Sequence, residues 1–173
     1  IMNKKKALFA LFAVMLITII LGILFLRHDN PFKIQHNSLW IQAESINGKM
    51  ITSEQMKGSQ TILIFFNTQC ELCLAEILLL EKQLKQISMF YHVLFISFEP
   101  KASLSAFFLH KKVCLDFDNV YVISDDKMSL LDYYDVKGYP SFLIFNKNGT
   151  LFRRGESIDE NILQELLKNN SSE

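Results

Sequence analysis

Thr61-Ile62-Leu63-Ile64-Phe65-Phe66-Asn67-Thr68-Gln69-Cys70-Glu71-Leu72-Cys73 joins an unbroken apolar run to a pair of thiols. The run from Thr61 to Phe66 does not alternate with polar residues, so it reads as a strand buried on both faces, at the centre of a helix-covered sheet. A helix-like run from Leu74 to Ile87 follows. Leu74, Ile77, Leu78, Leu80, Leu84 and Ile87 take its apolar side, and Glu81, Lys82, Lys85 and Gln86 the other. Cys70 and Cys73 therefore fall at a strand-to-helix junction. Two thiols three positions apart can close and open a disulfide there. The unpaired N–H groups and positive dipole end of a helix N-terminus favour the thiolate, which is the attacking form.

A Cys-x-x-Cys pair is also half of a zinc site. The other half would need a second Cys/His pair at short spacing. Cys114 is the only further cysteine, and His28, His36, His92 and His110 stand singly. The junction position fits a redox pair, and no metal or other cofactor is expected. Cys114 itself reads as a small buried apolar residue, with a further redox partner or an intermolecular disulfide as the alternative.

The chain has 173 residues, 50% of them hydrophobic, enough for one domain with a real core. Eighteen Lys and Arg balance eighteen Asp and Glu, so no clustered basic excess marks a nucleic-acid surface. The N-terminal part is a separate object. Lys4-Lys5-Lys6 precede an uncharged run from Ala7 to Leu26, closed by Arg27-His28-Asp29. Such a run spans a hydrocarbon core of roughly 30 Å as a helix. The lysines favour a cytoplasmic N-terminus, with the remainder of the chain outside. A cleaved signal peptide would have a shorter apolar region and a small-x-small site. Ile23-Leu24-Phe25-Leu26-Arg27 offers none, and no lipid-anchoring cysteine follows, so the expectation is an uncleaved single-pass anchor in the cytoplasmic (inner) membrane. The catalytic domain would be periplasmic or otherwise extracytoplasmic, where thiols tend to oxidise and a reducing function needs an electron donor.

Working outward, residues 28–39 read as a linker, 40–169 as the domain and 170–173 as a tail. Glu44 to Ile51 reads as a hairpin turning at Asn47-Gly48. Thr52 to Met56 reads as a capped helical turn. Tyr91 to Phe98 is a second buried strand, Ser103 to Lys112 a helix, Asn119 to Ile123 a strand and Met128 to Tyr134 a short helix. Ser141 to Phe145 and Thr150 to Arg153 form a hairpin about Asn148-Gly149, and Asp159 to Lys168 a closing amphipathic helix. The early alternation implies parallel strands and the late hairpin an antiparallel edge.

The second informative stretch is Lys137-Gly138-Tyr139-Pro140-Ser141-Phe142-Leu143-Ile144-Phe145, with a proline at a strand start, where it is tolerated. Together with the buried strand running into Cys70-x-x-Cys73 and with Phe145-Asn146-Lys147-Asn148-Gly149, it resembles the thioredoxin superfamily over about residues 40–168. Ile46-Asn47-Gly48-Lys49 and Met56-Lys57-Gly58 look like the membrane-anchored TlpA/ResA-type branch, whose domain handles disulfides outside the cytoplasmic membrane, often during cytochrome c maturation.

The resemblance implies a thioredoxin-like α/β fold: a central mixed sheet flanked by helices, with an N-terminal hairpin and one transmembrane helix. It implies that Pro140 is cis and packs against the disulfide, and that Tyr139 offers its backbone to an extended peptide. It also implies a role for Glu76, three positions after Cys73, as acceptor of that thiol's proton. Spacing alone places Cys73 and Glu76 on one helix face, where a solvated glutamate is the plain alternative. Three positions depart from the wider pattern: Ile64 replaces a buried Asp, Gln69 an aromatic and Leu72 a proline.

Cys70 is the expected attacking thiol and Cys73 the resolving one. The partners would be protein thiols and disulfides, a transmembrane or soluble electron donor, and the membrane through residues 7–26. Glu71 and Glu76 add negative charge near Cys70, and no Lys, Arg or His lies within the motif, which points to a reductant. One rival is a peroxiredoxin-like peroxidase, but its Pro-x-x-x-Thr-x-x-Cys pattern is absent: Thr68 stands two residues before Cys70. A second rival is a Cu(I) carrier drawing on His92 or His110. A third is a thioredoxin-like scaffold, against which the intact thiol pair argues.

Overall fold

The computed structural model describes residues 14–19, 37–113 and 115–168. The chain divides into two units, Ile1–Ile34 and Gln35–Glu173. In the first, residues 14–19 are helical. The rest of the expected anchor, the tail and Cys114 lie outside the described residues. Among the described residues, no helix is long and apolar enough to cross a membrane.

The second unit opens with a two-stranded antiparallel hairpin, β1 (Gln42–Glu44) and β2 (Met50–Thr52), leading into the single turn α1 (Ser53–Met56). A five-stranded sheet then forms from β3 (Gln60–Phe65), β4 (Tyr91–Ser97), β5 (Val120–Ser124), β6 (Ser141–Phe145) and β7 (Leu151–Gly155). Its order is β5-β4-β3-β6-β7. β3 pairs in parallel with β4, and β4 with β5, while β6 and β7 join antiparallel. The connections carry α2 (Glu71–Glu81), α3 (Leu84–Ile87), α4 (Lys101–Lys111) and α5 (Ser129–Tyr133), and α6 (Glu160–Lys168) closes the chain.

The unbroken apolar run of β3 is explained by its central place. Alternate side chains feed two separate cores. Ile62, Ile64 and Phe66 join α2, α3, α4 and α6 on one face. Leu63 and Phe65 join the hairpin, α1 and α5 on the other. Tyr134, buried at the end of α5, ties the second layer down: its hydroxyl accepts from Trp40 N–H at 2.7 Å and donates to Trp40 C=O at 2.9 Å.

Three local expectations are refined. The helix after the thiols is not one run: it breaks at Lys82-Gln83, where Gln83 N–H closes a tight turn on Leu80 C=O at 2.9 Å. No Gly or Pro marks that break. The front hairpin does not use a two-residue Asn-Gly turn, which would need positive φ at both residues. Only Gly48 is left-handed, at φ 81°, and the loop spans Ser45 to Lys49. Tertiary contacts set this longer loop: Ser45 bridges to Ile123, and Ile46 N–H donates to Val122 C=O at 2.8 Å. The late hairpin places β7 one to two residues further along than its pattern suggested.

Gly155 is required by packing. A Cβ there would stand 2.5 Å from Phe142 Cε1 and 2.6 Å from Cζ, across the β6–β7 pair. Phe142 is buried in the core, so its ring would have to shift to make room. Gly155→Ala is expected to destabilise the fold by about 1–3 kcal/mol. An unchanged denaturation midpoint would show that the ring steps aside.

Candidate active site

β3 ends at the sheet centre, and Asn67, Thr68 and Gln69 turn the chain into α2. Asn67 closes this turn on itself: its side-chain oxygen accepts Gln69 N–H at 2.7 Å and its carbonyl accepts Cys70 N–H at 3.1 Å. Cys70 is the N-cap of α2, and its Sγ accepts Cys73 N–H at 3.1 Å. The sulfur thus takes the place that a Ser or Asp oxygen takes at other helix starts. Cys70 and Cys73 are joined by a disulfide with their Cα atoms 5.2 Å apart. The two sulfurs differ in access: Cys73 is buried in the core, Cys70 only partly. Leu72, between them, is 71% exposed.

The Tyr139–Pro140 bond is cis, as the resemblance implied. Pro140 is buried and immediately precedes β6, which pairs with β3. Tyr139 packs against both cores, the first of which contains Cys73 and is touched by Cys70. Burial pushes its phenol up, with Asp125 and then Glu99 adding to the shift. Gly138 shows neither a positive φ nor a crowded Cβ position, so no backbone requirement explains it.

Glu76 is the clearest departure from a plain helix surface. It is only 4% exposed, on the same buried face of α2 as Cys73 and Ile77. Its Oε2 accepts the Ser157 hydroxyl at 3.0 Å, and Ile158 adds a backbone hydrogen bond. Its Oε1 is buried with no hydrogen-bond partner among the described residues. Burial dominates these hydrogen bonds and pushes the carboxyl up to about 7. The solvated-glutamate alternative is thereby excluded. The charge argument for a reductant is also altered, because burial favours the neutral form of this carboxyl. A cavity of about 830 Å³ opens beside it, lined in part by Leu72, Ala75, Glu76, Pro140, Phe142 and Ile158.

Two groups at this end of the sheet were not found from sequence. Glu99, two residues past β4, accepts Thr68 N–H and the Ser97 hydroxyl, each at 2.9 Å, through Oε2. Its Oε1 accepts the Thr68 hydroxyl. Asp125, just past β5, accepts the N–H groups of Leu130 and Leu131 at 2.8 and 3.0 Å and so caps α5. Both follow the carboxyl end of a parallel strand, where sites in open α/β sheets gather, and that was the available signal. Ser157 had none: it reaches Glu76 only through the return of β7.

The histidines do not approach the thiols. His92 pairs with Thr61, about 13 Å of strand away from the Phe65–Ile96 level where the turn begins. His110 lies in the last turn of α4, whose first turn is the end that follows β4. Parallel strands with a helical crossover put both histidines at the end of the sheet opposite Cys70, so neither completes a copper site with the pair. Among the described residues, no group of three or more His, Cys, Asp or Glu could hold a metal ion.

The AhpC/TSA family model matches residues 34–153. The chain belongs to the AhpC/TSA family. With its redox pair at Cys70 and Cys73, it is a thiol–disulfide oxidoreductase of thioredoxin-like fold. Solved structures agree on that fold. The pneumococcal exposed lipoprotein thioredoxin Etrx1 from Streptococcus pneumoniae strain TIGR4 is 24% identical, with a TM-score of 0.62 over 75% of this chain and 98% of that one. StoA from Bacillus subtilis is 18% identical, with a TM-score of 0.62 over 73% and 94%. A putative thiol:disulfide interchange protein DsbE from Chlorobium tepidum is 17% identical, with a TM-score of 0.63 over 77% and 94%. No curated protein matches the chain.

Proposed function

We propose that this member of the family reduces disulfides in proteins outside the cytoplasmic membrane, held there by a single-pass anchor at residues 7–26. The observation that carries the chemistry is the asymmetry of the pair: Cys70 caps α2 with partial access, while Cys73 is buried on the face that holds Glu76. The Cys70 thiolate attacks one sulfur of the client disulfide. The first client sulfur leaves as a thiolate and takes a proton from water. Cys73 then passes its proton to Glu76 and attacks the Cys70 sulfur. That step releases the second client sulfur, which leaves as a thiol once it takes up a proton, and forms the Cys70–Cys73 disulfide. A donor dithiol returns the two electrons. Tyr139 and Pro140 form the wall that faces the client chain. The Ala7–Leu26 run, flanked by Lys4-Lys5-Lys6, supports the anchor. Apocytochrome c, implied by the likeness to the TlpA/ResA-type branch, is the first client to test.

Glu71 in the first turn of α2 and the Glu99 carboxyl against Thr68 oppose a strongly stabilised thiolate, and no cation stands within the motif. The reduction potential is therefore expected below about −180 mV, on the reducing side of the isomerases. Equilibration with a glutathione or dithiothreitol buffer, read by thiol alkylation, measures it. A higher value removes the reductant assignment. Peroxide consumption without any protein disulfide partner would instead support the peroxidase alternative.

A further inference from the structure

The segment after β4 touches both halves of the thiol site. Phe98 packs on Tyr139 with ring centroids 5.9 Å apart. The next residue, Glu99, turns to the other half and receives three hydrogen bonds on its two oxygens, two of them from Thr68. Its own carbonyl accepts the Ser124 hydroxyl at 2.8 Å, which fixes its backbone to the end of β5.

We propose that Glu99 is the positioning residue of the Cys70 loop: by taking both the main-chain N–H and the hydroxyl of Thr68, it holds residues 67–70 where Cys70 caps α2. The inference rests on the disulfide-exchange reading and adds a residue to it. The bonds within the turn, from Asn67 to Gln69 and Cys70, shape the loop but do not tie it to the sheet. The last ladder bond before it is Phe66 N–H to Ile96 C=O at 3.0 Å. The clasp on Thr68 supplies the next tie, two residues before the attacking sulfur. Three donors converge on two acceptor oxygens, and an apolar side chain at this position would leave all three without their partner. Without the clasp, Cys70 Sγ leaves the helix N-terminus that stabilises its thiolate.

Thr68→Val leaves every charge in place and removes one arm of the clasp, while Thr68→Ser keeps both arms. The reduced full-length protein is compared by two rates, each per folded molecule: alkylation of Cys70 by iodoacetamide at neutral pH, and reduction of insulin. Thr68→Val is expected to slow alkylation about three-fold and insulin reduction about ten-fold, as a misplaced nucleophile does. Thr68→Ser is expected to stay within about two-fold in both. Glu99→Ala should slow insulin reduction by a similar factor, and the double variant Thr68→Val/Glu99→Ala no further, because both break one unit. A merely structural clasp would lower the melting temperature and leave alkylation per folded molecule unchanged. That result, or effects that multiply in the double variant, overturns the inference. If Glu99→Ala does not fold, the Val and Ser variants of Thr68 decide alone. An unmutated protein that fails to reduce insulin would overturn the exchange reading instead.

Discussion

Replacing Cys70 by Ser is expected to lower the rate of insulin reduction by at least about a thousand-fold, since a hydroxyl at neutral pH supplies almost no nucleophilic anion. Cys73→Ala should behave differently. Cys73 is buried beneath the cap and accepts no client, so the first attack proceeds and the mixed disulfide at Cys70 is not released. Single-turnover kinetics followed by non-reducing electrophoresis separates the two steps. Equal loss of the first step in both variants would contradict the assignment of roles.

Glu76→Gln carries the second large effect. Removing a positioned proton acceptor typically slows a step by about a hundred-fold or more. Here the slowed step is the attack of Cys73, so the mixed disulfide should accumulate. The wild-type rate of that step should rise with pH through about 7, where the Glu76 carboxyl ionises, and Glu76→Gln should flatten that rise. Stability should move the opposite way. The folded carboxyl binds its proton more tightly than the unfolded one, whose usual value is 4.5, so its contribution is fully present below 4.5. It is lost as pH rises to about 7, amounting to about 3 kcal/mol across that window. Denaturation of the oxidised protein at pH 5 and pH 8 measures this. A pH slope unchanged by Glu76→Gln would mean that Glu76 is not the titrating group. The unpartnered Oε1 is consistent with a carboxyl kept for its proton rather than for an ion pair.

Much of this fold was legible because its strongest signals are long-range consequences of burial. A strand apolar on both faces has to be central, and β3 is. Pro140 marked a strand start because a proline there loses no ladder bond. What escaped was set by tertiary contact. The front turn is longer than Asn47-Gly48 alone suggests because Ser45 and Ile46 are held by β5. Periodicity put Glu76 on the face of Cys73, but its burial depends on Ser157 and Ile158, more than eighty positions along the chain. Nothing adjacent in sequence marked Glu99, which the crossover alone sets against Thr68. Residue type and spacing thus located the thiols, and the groups around them emerged only once the sheet order was known.

In the proposed exchange every client disulfide passes through Cys70. Cys73→Ala in the full chain, expressed in the cells that make the protein and analysed by mass spectrometry of disulfide-linked peptides, tests this most directly. Client cysteine peptides joined to Cys70 are predicted, from proteins outside the cytoplasm, and absent from the Cys70→Ser/Cys73→Ala control. Linkage through Cys114 instead, or no linked protein at all, would contradict it.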